Sequence, residues 1–130
     1  MTLSVDIIRH SDFFEVVVTG TFNLQEAIDK FRYVLIPCKM TGISKFLIDF
    51  RKLSGDRSAI ENIIYALEIE GKYFEHLAAG GPKLLVAYVG SPSQVSTYEP
   101  GLEIARQSDM PFTLFTSIED AYEWLHVHAT

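Results

Sequence analysis

The chain has 130 residues, 48% of them hydrophobic, and carries 11 Lys and Arg against 17 Asp and Glu for a net charge of -6. That length and apolar content suit one domain, spanning 1–130, with its own core, and they exclude a disordered chain. The acidic balance, with no basic stripe interleaved with aromatics, argues against nucleic acid and against an anionic membrane surface as partners.

The single cysteine, Cys38, excludes an internal disulfide and is expected to be a packed structural thiol. Met1 to Asp6 shows no basic stretch followed by an apolar core, so no signal peptide is expected. No apolar run reaches the roughly 20 residues that span a bilayer. The expected setting is a soluble protein of the cytoplasm, with no membrane insertion.

Two short segments open the chain, 3–9 and 14–19. Both are rich in β-branched and aromatic residues and alternate in polarity, with His10-Ser11-Asp12 as the break, and they predict a β-hairpin. Asn23 then offers an N-cap with Glu26 three residues on. Leu24, Ala27, Ile28, Phe31, Val34 and Leu35 follow at helical spacing, and Pro37 is expected to stop the helix.

Lys45 to Phe50 reads as a strand buried on both faces. Ser54-Gly55-Asp56 is loop. Ser58 with Glu61 forms a capping box opening a long helix to about Ala79, and Gly80-Gly81-Pro82 ends it. Leu84 to Val89 is a further buried strand, followed by a Gly90-Ser91-Pro92-Ser93 turn. A shorter helix is expected within 97–107, starting near Pro100. Phe112 to Phe115 is the last strand, and Ser117 caps a terminal helix containing Ala121, Trp124 and Leu125. The alternation predicts an α/β fold: a mixed sheet, hairpin plus parallel strands, covered by about four helices.

The order of a hairpin feeding repeated helix–strand units resembles the STAS domains (sulfate transporter and anti-sigma factor antagonist) and their divergent stand-alone relatives. Locally, Phe46-Leu47-Ile48-Asp49-Phe50 leads through a short loop to Asp56-Arg57-Ser58 at a helix start, similar to the strand-Asp and Asp-Ser-Ser/Thr-Gly turn of the anti-sigma antagonists. Arg57 stands where that pattern has its first serine, Ala59 stands where Gly or another small residue is usual, and the loop is about one residue short. The resemblance implies a non-enzymatic regulatory module whose turn serine, here Ser58, is a candidate for phosphorylation by a partner kinase.

Ser58 at a helix N-terminus would suit a phosphate, because free N–H groups and the helix dipole favour negative charge there; its plain alternative is an N-cap. On the long helix, spacing at 100° per residue groups Ile60, Ile63, Ile64, Leu67, Phe74 and Ala78 on one side, expected to face the sheet. Tyr65, Ile69, Tyr73 and His76 fall opposite, and Tyr65, Ile69 and Tyr73 are expected to form an outward partner-binding stripe next to Asp56, Arg57 and Ser58.

His126 and His128 are two apart and diverge on a helix, and His10 and His76 lie far off, so no metal site is expected. No Gly-x-Ser-x-Gly elbow, P-loop or dinucleotide loop is present. The reading is a regulatory or scaffolding module acting through protein–protein contact, including with a second copy of itself, and without a cofactor. A small-molecule or lipid-binding domain is the alternative, since some STAS-like folds are related to lipid-carrying Sec14-type domains, and an enzyme comes third.

Overall fold

The computed structural model describes residues 2–127. Strands β1 (Leu3–Arg9) and β2 (Phe14–Thr21) form the antiparallel hairpin, with Val5 opposite Val18 and Ile7 opposite Val16. Helix α1 (Leu24–Thr41) returns the chain to β3 (Lys45–Asp49), which lies parallel to β2. A two-residue strand, β4 (Leu53–Ser54), adds to β2 and delivers the chain to α2 (Ala59–Ala78). Then come β5 (Leu85–Val89), α3 (Pro92–Gln107), β6 (Phe112–Phe115) and α4 (Ile118–Leu125). The strands stand in the order β1-β2-β3-β5-β6, all parallel except β1, so the mixed α/β sheet with four helices is present as expected.

Side chains alternate across the sheet and build two cores. On one face, Phe14, Val16, Phe46, Ile48 and Val86 meet α1 through Phe31, Val34 and Cys38, α2 through Ile69 and Tyr73, and α3 through Leu102 and Ala105. On the other face, Phe13, Leu47, Ala87 and Val89 pack against Ala121 and Leu125 of α4. Cys38 is a fully buried free thiol whose pKa burial pushes up. No helix among the described residues is long and apolar enough to cross a membrane.

Two helix boundaries differ from the sequence expectation. The first helix does not stop at Pro37 but runs through it to Thr41. Proline lacks an N–H and so forfeits one helical bond. The extra turn is held nevertheless, because Cys38 is anchored in the core and Gly42, in the left-handed region, donates its N–H to the Cys38 carbonyl at 2.9 Å. The third helix starts at Pro92, not near Pro100, so Gly90-Ser91-Pro92-Ser93 is no plain turn. Ser91 and Gln94 form a reciprocal capping box, and Pro92 occupies the first turn, where its missing N–H costs nothing.

Candidate functional site

Helix α2 is apolar on two opposite faces, and the structure reverses their expected assignment. Ile69 and Tyr73 are each 1% exposed and sit in the main core, with Asn62, Ala66 and His76 buried on the same side. Tyr65 packs against that core as well. The expected outward stripe of Tyr65, Ile69 and Tyr73 is therefore interior. The reason is the demand of the layer: α2 sits between α1 and α3, and large side chains are needed to reach Phe112 and Leu84 beneath it.

The residues facing outward are Ile60 at 69% exposure, Ile64 at 39%, Leu67 at 50% and Phe74 at 43%. With Gly71 and Ala78 they recur at alternating intervals of four and three, the spacing of a coiled-coil seam. Glu61, Glu68 and Glu75 recur every seventh residue along one flank of that seam. On the neighbouring helix α1, Tyr33, Ile36 and Met40 are also exposed.

Ser58 is exposed and caps α2, accepting the Glu61 amide at 3.1 Å while the Glu61 carboxylate accepts the Ser58 amide at 3.0 Å. Asp56 is exposed in the same loop. Arg57 turns the other way. Its guanidinium carbon lies 3.5 Å from the Tyr98 ring centroid, 4.6 Å from that of Phe22 and 5.5 Å from that of Tyr65.

Among the described residues no carboxylate pairs with Arg57, and its Nε is buried without a hydrogen-bond partner. Burial pushes the guanidinium pKa below its usual value, against the pull of Tyr98, Tyr65, Tyr88 and Glu61. Each cation–π contact returns about 0.5–2 kcal/mol, and a buried donor left unbonded costs on the order of 1–3 kcal/mol, more when charged. The three rings hold the guanidinium, but they leave the Nε donor unmet.

Two apolar clefts of about 60 Å³ each adjoin this arginine, and Arg57, Tyr65 and Tyr88 line both. The Tyr65 and Tyr88 hydroxyls share one hydrogen bond of 3.1 Å, and burial raises both phenols, Tyr88 well above the ordinary range. Neither cleft is lined by an acidic residue, in a chain whose acids outnumber its bases.

The structure thus keeps Asp56 and Ser58 at the surface beside the outward seam and draws Arg57, Tyr65, Ile69 and Tyr73 inward. Sequence reasoning missed the arginine box, because Phe22, Arg57, Tyr65, Tyr88 and Tyr98 come from five segments with no linear motif. The histidines are dispersed. His10 bonds Glu15 at 3.0 Å and stacks on Phe13, His76 is buried against the Pro82 carbonyl at 2.8 Å, and His126 ends α4. His128 lies outside the described residues. Among the described residues no three His, Cys, Asp or Glu side chains gather as a metal site would require.

No family model matches the chain, and no curated protein matches it in sequence. Solved structures do. An anti-sigma factor antagonist from Mycobacterium paratuberculosis superposes with a TM-score of 0.61 at 12% identity, over 96% of this chain and 95% of that one. An uncharacterised protein with a SpoIIAA-like fold from Shewanella loihica gives 0.53 at 18% identity, over 95% and 93%. The anti-sigma factor antagonist SpoIIAA in its unphosphorylated form gives 0.51 at 14% identity, over 96% and 99%. The likeness extends over nearly the whole of each chain, so the fold of this protein is STAS-like, the fold of the anti-sigma factor antagonists.

Proposed function

We propose that this chain is a non-enzymatic regulatory module that acts by binding a partner protein through the outward seam of α2 and the adjoining loop from Ser54 to Ser58. The supporting observation is the seam itself: Ile60, Ile64, Leu67 and Phe74 exposed at coiled-coil spacing along one helix. The structural neighbours that are anti-sigma factor antagonists agree with such a role. The occupant that fits is an amphipathic helix with basic flanks. Glu61, Glu68 and Glu75 form a one-sided acidic row, which attracts Lys or Arg across the seam and would repel the same row of an antiparallel second copy. Phosphorylation of Ser58 is the accompanying regulatory step: a phosphate there would stand against Glu61, break the capping box and add charge at the first turn of the seam.

The test uses a synthetic helix of about three heptads, with Leu at the seam positions and Lys on the flanks, beside the same peptide with Glu for Lys. The Lys peptide is expected to bind, more weakly as salt rises, and Leu67→Glu with Phe74→Glu is expected to abolish binding while leaving the far-ultraviolet circular dichroism unchanged. Equal binding of the two peptides, or binding that survives the double substitution, would overturn the assignment. So would a concentration-dependent dimer in sedimentation that the double substitution dissolves, since the occupant would then be a second copy.

A further inference from the structure

Beyond partner binding, we infer that the arginine box is a binding site for a small organic carboxylate with a short apolar tail, its carboxylate on Arg57 and its tail in the cleft between α1 and the β1-β2 hairpin. Three independent features of the site converge on that chemistry.

The first is a donor without an acceptor. The Arg57 Nε is buried and unbonded, and no carboxylate of the described residues pairs with the guanidinium. A second donor lies beside it: Tyr65 and Tyr88 carry two hydroxyl protons, their mutual hydrogen bond uses one, and the other is left for an incoming acceptor. A guanidinium fork plus one hydroxyl matches the two oxygens of a carboxylate, which arginine binds in bidentate fashion. A phosphoryl group, with three terminal oxygens and more charge, would leave acceptors unmet here.

The second feature is electrostatic. The cleft between α1 and the hairpin is lined by two cations, Lys30 and Arg57, and by no acid, although the chain as a whole is acidic. A site lined by one sign of charge selects the opposite sign.

The third is the wall. Leu3, Val5, Val16, Val18 and Val34 line the same cleft, so a molecule whose anionic end reaches Arg57 leaves its remainder against aliphatic side chains. At about 60 Å³ the cleft takes a very short tail, on the order of two or three carbons, and not a long chain. The rings of Tyr98 and Phe22 both pack on the guanidinium, which restricts its orientation before a ligand arrives.

The experiment is a titration of the full chain, labelled with nitrogen-15, with sodium butyrate, 1-butanol and butylamine, followed by nuclear magnetic resonance. The side-chain Nε–H of Arg57 gives its own signal. With butyrate this signal and the amides of Val5, Val16 and Ala27 are expected to shift and saturate together, with 1-butanol at least about tenfold weaker and butylamine weaker still. Arg57→Met is expected to weaken butyrate binding by about tenfold or more while Tm stays level or rises, because a half-buried charge without a partner is removed. Three results would overturn the proposal: butanol binding as tightly as butyrate, no shift at these residues up to about 10 mM butyrate, or an Arg57→Met variant that retains the butyrate affinity. A marked fall in Tm for Arg57→Met would instead make the arginine a structural clamp, and Arg57→Lys then decides. That variant keeps the charge, and undiminished butyrate binding by it would remove the bidentate recognition on which the site rests.

Discussion

At Gly81 a Cβ would stand 2.2 Å from Cε1 of His76, inside the space the imidazole already fills. The sequence shows Gly80-Gly81-Pro82 only as a helix stop, and the need for glycine at the second position comes from a ring one turn back in α2. Gly81→Ala is therefore expected to displace His76 from the Pro82 carbonyl, costing about 1–3 kcal/mol in chemical denaturation. Asp49 gives a residue-scale prediction with a pH signature. Burial would raise its carboxyl, but hydrogen bonds from the Arg51 side chain at 2.9 and 2.8 Å and from the Arg51 amide outweigh that and hold it below its ordinary 3.8. A carboxyl with a lowered folded pKa stabilises fully above the unfolded value and loses that contribution as pH falls through and below it. Asp49→Asn should lower stability by about 1–3 kcal/mol at neutral pH, and the deficit relative to the native chain should shrink in urea titrations run progressively below pH 4. The strand that carries Asp49 was visible in the sequence, read one residue too long; the clamp by Arg51 was not, since nothing in one dimension says that a side chain two residues on folds back.

Among the elements, α2 shows why a correct helix can carry a reversed face. Its length, its Ser58-Glu61 capping box and its stop are legible, because they depend on local hydrogen bonds and backbone freedom. Which face goes inward is not local. Both sides are apolar, and the inward side even contains Asn62 and His76, which periodicity assigns to solvent. They are accommodated by partners distant in sequence or hidden in a loop, the Thr97 carbonyl at 2.7 Å for Asn62 and the Pro82 carbonyl for His76. Close approach to α3 at Gly101, where a Cβ would meet the Asn62 carbonyl oxygen at 3.1 Å, fixes the same orientation. The two phases make opposite predictions. Leu67→Glu should change stability by no more than about 0.5 kcal/mol, while Ile69→Glu should cost more than about 3 kcal/mol or prevent folding, read from Tm of the two purified variants. Loss of the cap is a separate element-scale effect: Ser58→Ala should cost about 1 kcal/mol without altering the seam, measured by thermal unfolding.

On the scale of the molecule, the hairpin and the parallel crossovers were legible because helix–strand alternation leaves few topologies, whereas the strand order and the unequal covering of the sheet were not. Three helices lie on one face and α4 alone on the other, and that single helix covers Phe13, Leu47, Ala87 and Val89 with Ala121 and Leu125. The α4 side is thus a small core with one lid, and the opposite side a larger core with overlapping cover. Leu125 is fully buried, so Leu125→Ala should remove about 2–5 kcal/mol. Its effect on hydrogen exchange should be uneven. Amides of β3 and β5 are central in the sheet and under α4, so they should lose protection together with α4 itself, while amides of α1, held by Phe31, Val34 and Cys38 on the other face, should slow or speed only with the global unfolding rate. If α1 loses protection as early as α4 in that variant, the two cores open as one unit, and the division into a lidded face and a triple-covered face has no energetic counterpart.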